Sequence, residues 1–363
     1  RGPGGYYNKK TSRSFKISKG HFNLISHFSA CQKSVKLYRM VYSKIGLIRG
    51  KGPVVLALGA QSKAGFCFIK GSDAYLAQSG WDLGNPEDLK KFKKEINGLK
   101  IRPDIVACDL HPDYITTKLS HEIAGYFDSG LKKIQHHEAH IASCLADNAI
   151  KGPVIGVAFD GTGFGTDGNI WGGDFFIGGL KEFKRIAHLK YIAMPGGEAA
   201  IKEPWRMAFS YLYGAFGEKI NALRPGFLDD KDTDLLSQII RKKINSPLTS
   251  SMGRLFDSVA AIIGICGTAE YEGQAAIRLE REIKECTPGR PDKNKYNFTY
   301  KDKNGIIEID WAPVIERVAR DVRDKKDKSW ISLKFHDAVI NMIKTVCMAV
   351  RKKYKIKKKS ITS

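Results

Sequence analysis

His136 and His140 stand four residues apart in QHHEAH, and Asp160 follows twenty residues after His140 at the end of the apolar stretch VIGVAF. Positions four apart share one face of a helix, so the two imidazoles point the same way. With a carboxylate delivered at the carboxyl end of a strand, they offer three donors to one cation. His137 lies on the adjacent helix face and can take the place of His136. Behind Asp160 come Gly161, Thr162, Gly163, Gly165 and Thr166, which read as a turn whose backbone N–H groups suit phosphate oxygens. The combination describes a metal beside a nucleotide. Each part alone has a plainer explanation, since helical histidine pairs are often coincidental and DGTG is a common hairpin turn. The order of imidazole pair, strand, carboxylate and glycine turn is what joins them into one site.

A chain of 363 residues with 42% hydrophobic content can build two lobes with ample core. No apolar run reaches the length of a membrane span, and the basic leader lacks an apolar centre followed by a cleavage site, which points to a cytoplasmic protein with no membrane partner. Seven cysteines, scattered, odd in number and never in CxxC, speak for reduced thiols and against a zinc finger or disulfide framework.

The net charge of +22 is concentrated at the ends. Residues 1–50 hold eleven Lys/Arg and no acid, and residues 351–363 hold seven and no acid, which leaves the body at +4. A groove that reads nucleic acid would carry its cations along the body, interleaved with aromatics. Solvated, poorly ordered ends account better for the charge, although either end suits non-specific contact with polyanions.

Periodicity organises the body. Segments 54–60, 65–69 and 73–78 read as a strand meander and 86–98 as a helix; a strand ends at Asp109, a helix opens near His111 at Pro112, and KKIQHH leads into the histidine-bearing helix. This βββαβα order is one half of the actin, sugar-kinase and Hsp70 type of α/β fold, in which two lobes close over a nucleotide. A second meander follows at 154–160, 169–179 and 182–192. After it come helical segments at 198–216, 232–244, 251–265 and 270–285, a hairpin around Lys303, Asn304 and Gly305, and a long helix from Ser329 to Lys353. The predicted layout is thus a basic segment (1–50), a first lobe (51–150), and a second lobe with a helical insert (151–363) in which strands four and five are absent. The second sheet is then expected to leave an apolar unpaired edge.

Six ordered motifs, CDLHPDY (108–114), QHHEAHIASCLAD (135–147), AFDGTGFGTDGNIWGGDF (158–175), PGGEAAIKEPWRMA (195–208), SMGRLFDSVAAIIG (251–264) and YEGQAA (271–276), resemble the HypF family of hydrogenase-maturation carbamoyltransferases. The likeness is to the last domain of that family, related to the threonylcarbamoyl-transfer proteins of tRNA modification, and covers about residues 51–353. RGPGGYY resembles the junction after the family's adenylate-forming domain, while Lys9 to about Lys51 has no counterpart.

The resemblance implies that carbamoyl adenylate, made upstream from carbamoyl phosphate and ATP, passes its carbamoyl group to a C-terminal cysteine thiolate of a HypE partner, on the route to hydrogenase cyanide ligands. It implies that His136, His140 and Asp160 ligate an iron- or zinc-like divalent cation, magnesium being less suited to two imidazoles. It places Gly161, Thr162, Gly163 and Thr166 beside the nucleotide phosphates. Glu203, Arg206 and His111 become candidates for contact with the reacting groups, and Glu272 and Gln274 for the nucleotide. The structural alternatives are a helix-end ion pair for Glu203 and Arg206, solvated surface for Lys202, a helix-start carboxylate for Glu272 and a turn brace for Asp109. Cys108, Cys144, Trp171, Trp205, Phe175 and Phe176 read as core. The family's SGGVFQN-type turn, its NDGG segment with a further metal aspartate, and its upstream domains have no match here. Weak or no transfer from carbamoyl phosphate and ATP is therefore expected of these residues alone. Two rival readings remain, a tRNA threonylcarbamoyl-transfer subunit and a silent nucleotide- or protein-binding module.

Overall fold

The computed structural model describes residues 41–46, 52–61, 63–71, 73–220, 228, 232–283, 295–356 and 360–362. The expectation of poor order for the basic leader falls, over 1–40 and 47–50, outside the described residues.

The first sheet contains β1 (Val41–Gly46), β2 (Val55–Leu58), β3 (Ala64–Lys70), β4 (Asp73–Trp81), β5 (Ile105–Asp109) and β6 (Gly130–Ile134) in the order β1-β4-β3-β2-β5-β6. Its first four strands pair antiparallel, whereas β5 runs parallel to both β2 and β6. Helices α1 (Pro86–Gly98) and α2 (Ile115–Phe127) follow β4 and β5. Leu56, Phe66, Trp81, Phe92, Ile96 and Leu119 form the apolar centre of this lobe. β1 is an addition to the predicted meander, lying within the basic segment.

The second sheet runs β14-β7-β8-β9-β13-β12, with β7 (Val154–Phe164), β8 (Ile170–Gly179), β9 (Glu182–Leu189), β12 (Thr299–Lys303), β13 (Ile306–Asp310) and β14 (Ser360–Thr362). Of two short strands, β11 (Leu248–Thr249) pairs in parallel with β8 and β10 (Ile192–Ala193) pairs antiparallel with β11. The helices are α4 (Ala199–Lys202), α5 (Pro204–Phe216), α6 (Thr233–Arg241), α7 (Met252–Ile262), α8 (Gln274–Glu282), α9 (Ala312–Arg323) and α10 (Lys328–Tyr354). They bury a large core against the sheet, including Phe175, Tyr211, Val259, Trp311 and Phe335.

Three differences from the predicted elements have local causes. The helix expected over 198–216 breaks at Glu203, whose φ of −122° and ψ of 74° reflect the bar that Pro204 places on helical conformation in the residue before it. α9, anchored by Val314, Ile315 and Val318, adds a helix between the hairpin and the last long helix. β14 pairs in parallel with β7 over Ile155–Val157, so this stretch of β7 is not the unpaired edge that was expected and a fourth strand is begun. β14 stands to β7 as β5 stands to β2.

The histidine-bearing helix α3 (His136–Asp147) leaves the first sheet but packs on the second, where Ile141 and Leu145 join Val154, Ala158, Trp171 and Phe176 in a separate apolar cluster. The approach is close enough that a Cβ on Gly156 would lie 2.4 Å from Ile141 Cδ1. α3 thus ties the lobes together at the point where the candidate ligands sit.

Candidate metal centre and its cleft

Gln135 fixes the start of α3 by accepting hydrogen bonds from the backbone N–H groups of His137 (2.8 Å) and Glu138 (3.0 Å) on its side-chain oxygen. One turn in, His140 Nε2 lies 3.1 Å from His136 Nε2, and His136 Nε2 lies 3.4 Å from Asp160 Oδ2. The ligand atoms of these three residues are all within 4.8 Å of one another. Tetrahedral zinc with bonds near 2.0–2.1 Å places its ligands about 3.3 Å apart, so the spacing fits an ion with little rearrangement.

The tautomer needed for ligation is also provided. His136 Nδ1 is 2.7 Å from Asp109 Oδ2, and with its Nδ1–H donated there the Nε2 lone pair faces the cluster. Asp109 Oδ1 meanwhile accepts from the His111 backbone N–H at 2.8 Å, and His111 Nδ1 accepts from Asp113 N–H at 3.2 Å. These side chains take up the backbone donors of residues 111–113, which is why α2 begins at Ile115 and Pro112 sits in a turn rather than opening the helix.

Asp160 reaches the cluster from a bulge. Phe159 pairs with Gly173 and Gly163 with Trp171, so Asp160, Gly161 and Thr162 stand opposite Gly172 alone. Only glycine serves opposite the bulge, since a Cβ on Gly172 would come within 2.4 Å of the Asp160 carbonyl oxygen. The predicted glycine turn is therefore corrected. β7 continues through Phe164, and the turn comes at Gly165–Asn169, where Gly165 N–H donates to the Asn169 carbonyl at 2.8 Å. Thr166 is exposed in that turn. Two backbone groups of the bulge are taken up locally: the Gly161 N–H donates to Asp160 Oδ1 at 2.6 Å and the Asp160 carbonyl accepts from Ser251 Oγ at 2.6 Å.

Burial disfavours charge on Asp160, but contacts with His136 and His137 outweigh it and hold the carboxyl well below its ordinary range. Burial likewise opposes protonation of His136, yet Asp109 and Asp160 override it and push the ring up to about 9. His140 moves the other way, lowered by burial and then by the charge of His136. Protonation of His136 and binding of a cation at the cluster therefore compete for the same Nε2 atom.

His111 stacks on Tyr114 with ring centroids 4.2 Å apart and meets Phe164 of the other lobe at 5.0 Å, so it lines the crevice one residue removed from the cluster. Glu272 crosses the mouth, its carboxylate 3.9 Å from Lys63 Nζ, with both side chains largely exposed. Gln274 is buried and accepts from Glu270 N–H. Arg206 donates from Nε to Glu203 Oε2 at 2.5 Å, the ion-pair arrangement, and among the described residues no hydrogen bond joins Arg206 to the histidine cluster. Cys108, Trp171, Trp205, Phe175 and Phe176 are buried as expected.

Several neighbours of the cluster carry no local signature. Asp174 is wholly buried and accepts from Gly172 N–H at 2.8 Å and from Arg185 Nε at 2.8 Å. Arg185 lies 3.6 Å over the Trp171 ring and donates to Tyr191 Oη at 3.0 Å. Arg254, capped by Ser251, stands under Gly161, where an added Cβ would meet its guanidinium at 3.1 Å. Strand alternation places Asp174 on the same face as Gly172, which is the only sequence hint of its proximity to the bulge.

Two lobes of this topology, with imidazoles and a carboxylate converging between them, define an actin/sugar-kinase/Hsp70-type α/β domain of the Kae1-like class. The family model described as the carbamoyltransferase Kae1-like domain, second subdomain, matches residues 156–362, and the HypF Kae1-like domain matches residues 50–147. The chain is 39% identical over 249 residues to carbamoyltransferase HypF2 of Cupriavidus necator, covering 66% of this chain and 30% of the relative. It is 34% identical over 312 residues to carbamoyltransferase HypF of Synechocystis sp., covering 80% and 39%. A crystal structure of full-length HypF in the phosphate- and nucleotide-bound form superposes with a TM-score of 0.79 at 34% identity, over 88% of this chain and 41% of that one. The structure of HypF from T. kodakarensis gives a TM-score of 0.75 at 26% identity, over 88% and 43%. The chain belongs to the carbamoyltransferase HypF family, in its Kae1-like domain, and spans 30–43% of the length of these four relatives. Among the described residues no helix is long and apolar enough to cross a membrane.

Proposed function

We propose that this chain performs the carbamoyl-transfer half of hydrogenase maturation: it receives a carbamoyl group as carbamoyl adenylate and passes it to the C-terminal cysteine of a HypE-like protein. Its ligands in this reading are an ATP-derived nucleotide and an iron- or zinc-like cation held by His136, His140 and Asp160. The observation that carries the proposal is the convergence of His136 Nε2, His140 Nε2 and Asp160 Oδ2 at ion-binding spacing, in a chain of this family.

The reaction forms a C–S bond at the carbamoyl carbon and breaks the C–O bond to the phosphate, with AMP leaving as the thiol gives up its proton. Bound at the three ligands, the cation supplies Lewis-acid polarisation of a carbamoyl or phosphate oxygen. The chain's own residues do the rest. Asp109 orients His136, and the Asp160–Thr162 bulge turns the Asp160 carboxylate out of the ladder toward the histidine pair. His111, Tyr114 and Phe164 wall the crevice against water, and Glu272 stands at its mouth to meet the nucleotide.

The test supplies labelled carbamoyl adenylate in situ from a full-length HypF relative in which the counterparts of His136 and His140 have been replaced. Adding this chain is expected to restore labelling of the HypE-like acceptor, and His136→Ala or Asp160→Ala to abolish it. Absence of transfer by the unaltered chain, in a mixture where the intact relative succeeds, overturns the proposal.

A further inference from the structure

His137 is the one member of the histidine triplet whose side chain is completely buried. Its Nε2 lies 3.5 Å from Asp160 Oδ2 and its Nδ1 lies 3.2 Å from Asp174 Oδ2, so a single imidazole spans the carboxylates of two neighbouring strands. Both contacts are off the hydrogen-bond axis, which leaves the two ring nitrogens held by charge at close range rather than by well-aligned bonds. The ring lies directly against Gly163, where an added Cβ would sit 2.5 Å from its Nε2. Asp174 is in turn locked by Gly172 N–H and by Arg185, which rests on Trp171.

We propose that His137 is a positioning residue: it stays off the cation and holds the Asp160 carboxylate against the His136–His140 pair, with Asp174 as its anchor. This rests on the metal reading above. Asp160 Oδ1 is occupied by the Gly161 backbone N–H at 2.6 Å, so Oδ2 is the oxygen left to face both histidines. Its direction is set by whatever stands behind it, and what stands there is His137. The set of ligand atoms that approach one another within 4.8 Å is made by His136, His140 and Asp160, without His137. The position that the sequence allows as an alternative ligand is thus given a supporting role, of the kind that commonly changes metal affinity by about 10–100-fold.

The experiment measures zinc affinity of the full chain by competition with a chromophoric chelator, and the visible spectrum of the cobalt form. His137→Leu is expected to weaken zinc by about 10–100-fold while keeping one ion per chain. His137→Gln, which returns an N–H near the Nε2 position, is expected to recover most of that loss, a rescue that simple cavity filling would not produce. In the unaltered protein, imidazole 15N spectra should show zinc on the Nε2 atoms of His136 and His140 and not on His137, a reading that stands even if the leucine variant does not fold. Unchanged affinity in folded His137→Leu, or zinc on a His137 nitrogen, overturns the positioning role alone. Failure of the unaltered chain to bind either ion overturns the metal reading and this inference with it.

Discussion

Asp109 and His136 share a 2.7 Å hydrogen bond that joins the carboxyl end of β5 to the first turn of α3. The bond crosses from the first lobe's sheet to the helix that packs on the second, so the tautomer of a candidate ligand is set by the lobe it has left. Asp109 divides its oxygens between this duty and the His111 backbone, and both are needed to hold the ring in place.

Removing that carboxylate should therefore act on the metal more than on the fold. Asp109→Ala is expected to lower zinc affinity by about 10–100-fold, with Asp109→Asn falling between it and the unaltered chain because an amide oxygen still accepts from Nδ1. Chelator competition reads the difference. Equal affinity in all three proteins would mean that Asp109 does not orient His136.

Arg185 offers a test of stability. It donates to Asp174, a carboxylate with no solvent exposure, and stacks on Trp171. Arg185→Ala leaves that charge buried with only a backbone N–H and His137 nearby, a situation that costs about 3–5 kcal/mol. Urea denaturation near neutral pH should show the midpoint falling accordingly. Arg185→Lys should recover part of the loss, since one ammonium cannot reproduce the paired guanidinium contact.

The packing of α3 can be challenged from the other side of the interface. Gly156→Ala drives a methyl into Ile141, and overpacking of this kind costs about 1–3 kcal/mol. Adding Ile141→Val should return part of that stability by making room. A double-mutant cycle on thermal unfolding measures the coupling, and strict additivity would contradict the close contact between β7 and α3.

What was legible in the sequence follows from how far each signal reaches along the chain. The paired imidazoles and Asp160 stand out because helical and strand periodicity alone place them, and most strands and helices were foreseeable from apolar spacing. Asp174 and Arg185 were not, since their meaning depends on β7, β8 and β9 lying side by side, a relation that no single segment encodes. The bulge at Asp160 was hidden for the same reason: extra residues in a strand are defined only by its partner, and Gly161 and Gly163 look like turn residues until Gly172 and Trp171 are seen across from them. The role of His137 was open because helix periodicity places it next to His136 without saying which of the two faces a cavity and which a neighbouring strand. β14 was missed because three residues are too few to show alternation.

The proton held at His136 gives the last prediction its sign. In the metal-free chain the ring is raised from an ordinary 6.5 to about 9, so the stability it lends is full below pH 6.5 and is lost as pH climbs through 9. Asp160 is depressed far enough to remain charged throughout that range and adds no slope of its own. Zinc needs the same Nε2 that carries the proton, so binding must expel it, and apparent affinity should rise with pH by up to about tenfold per unit between pH 7 and 9 before levelling off. Thermal unfolding with and without zinc at pH 6, 7.5 and 9 separates the two effects. The metal-free melting temperature should drop toward pH 9 while the increment produced by zinc grows. A zinc increment independent of pH would show that no proton is exchanged, and that the ion sits somewhere other than between His136 and His140.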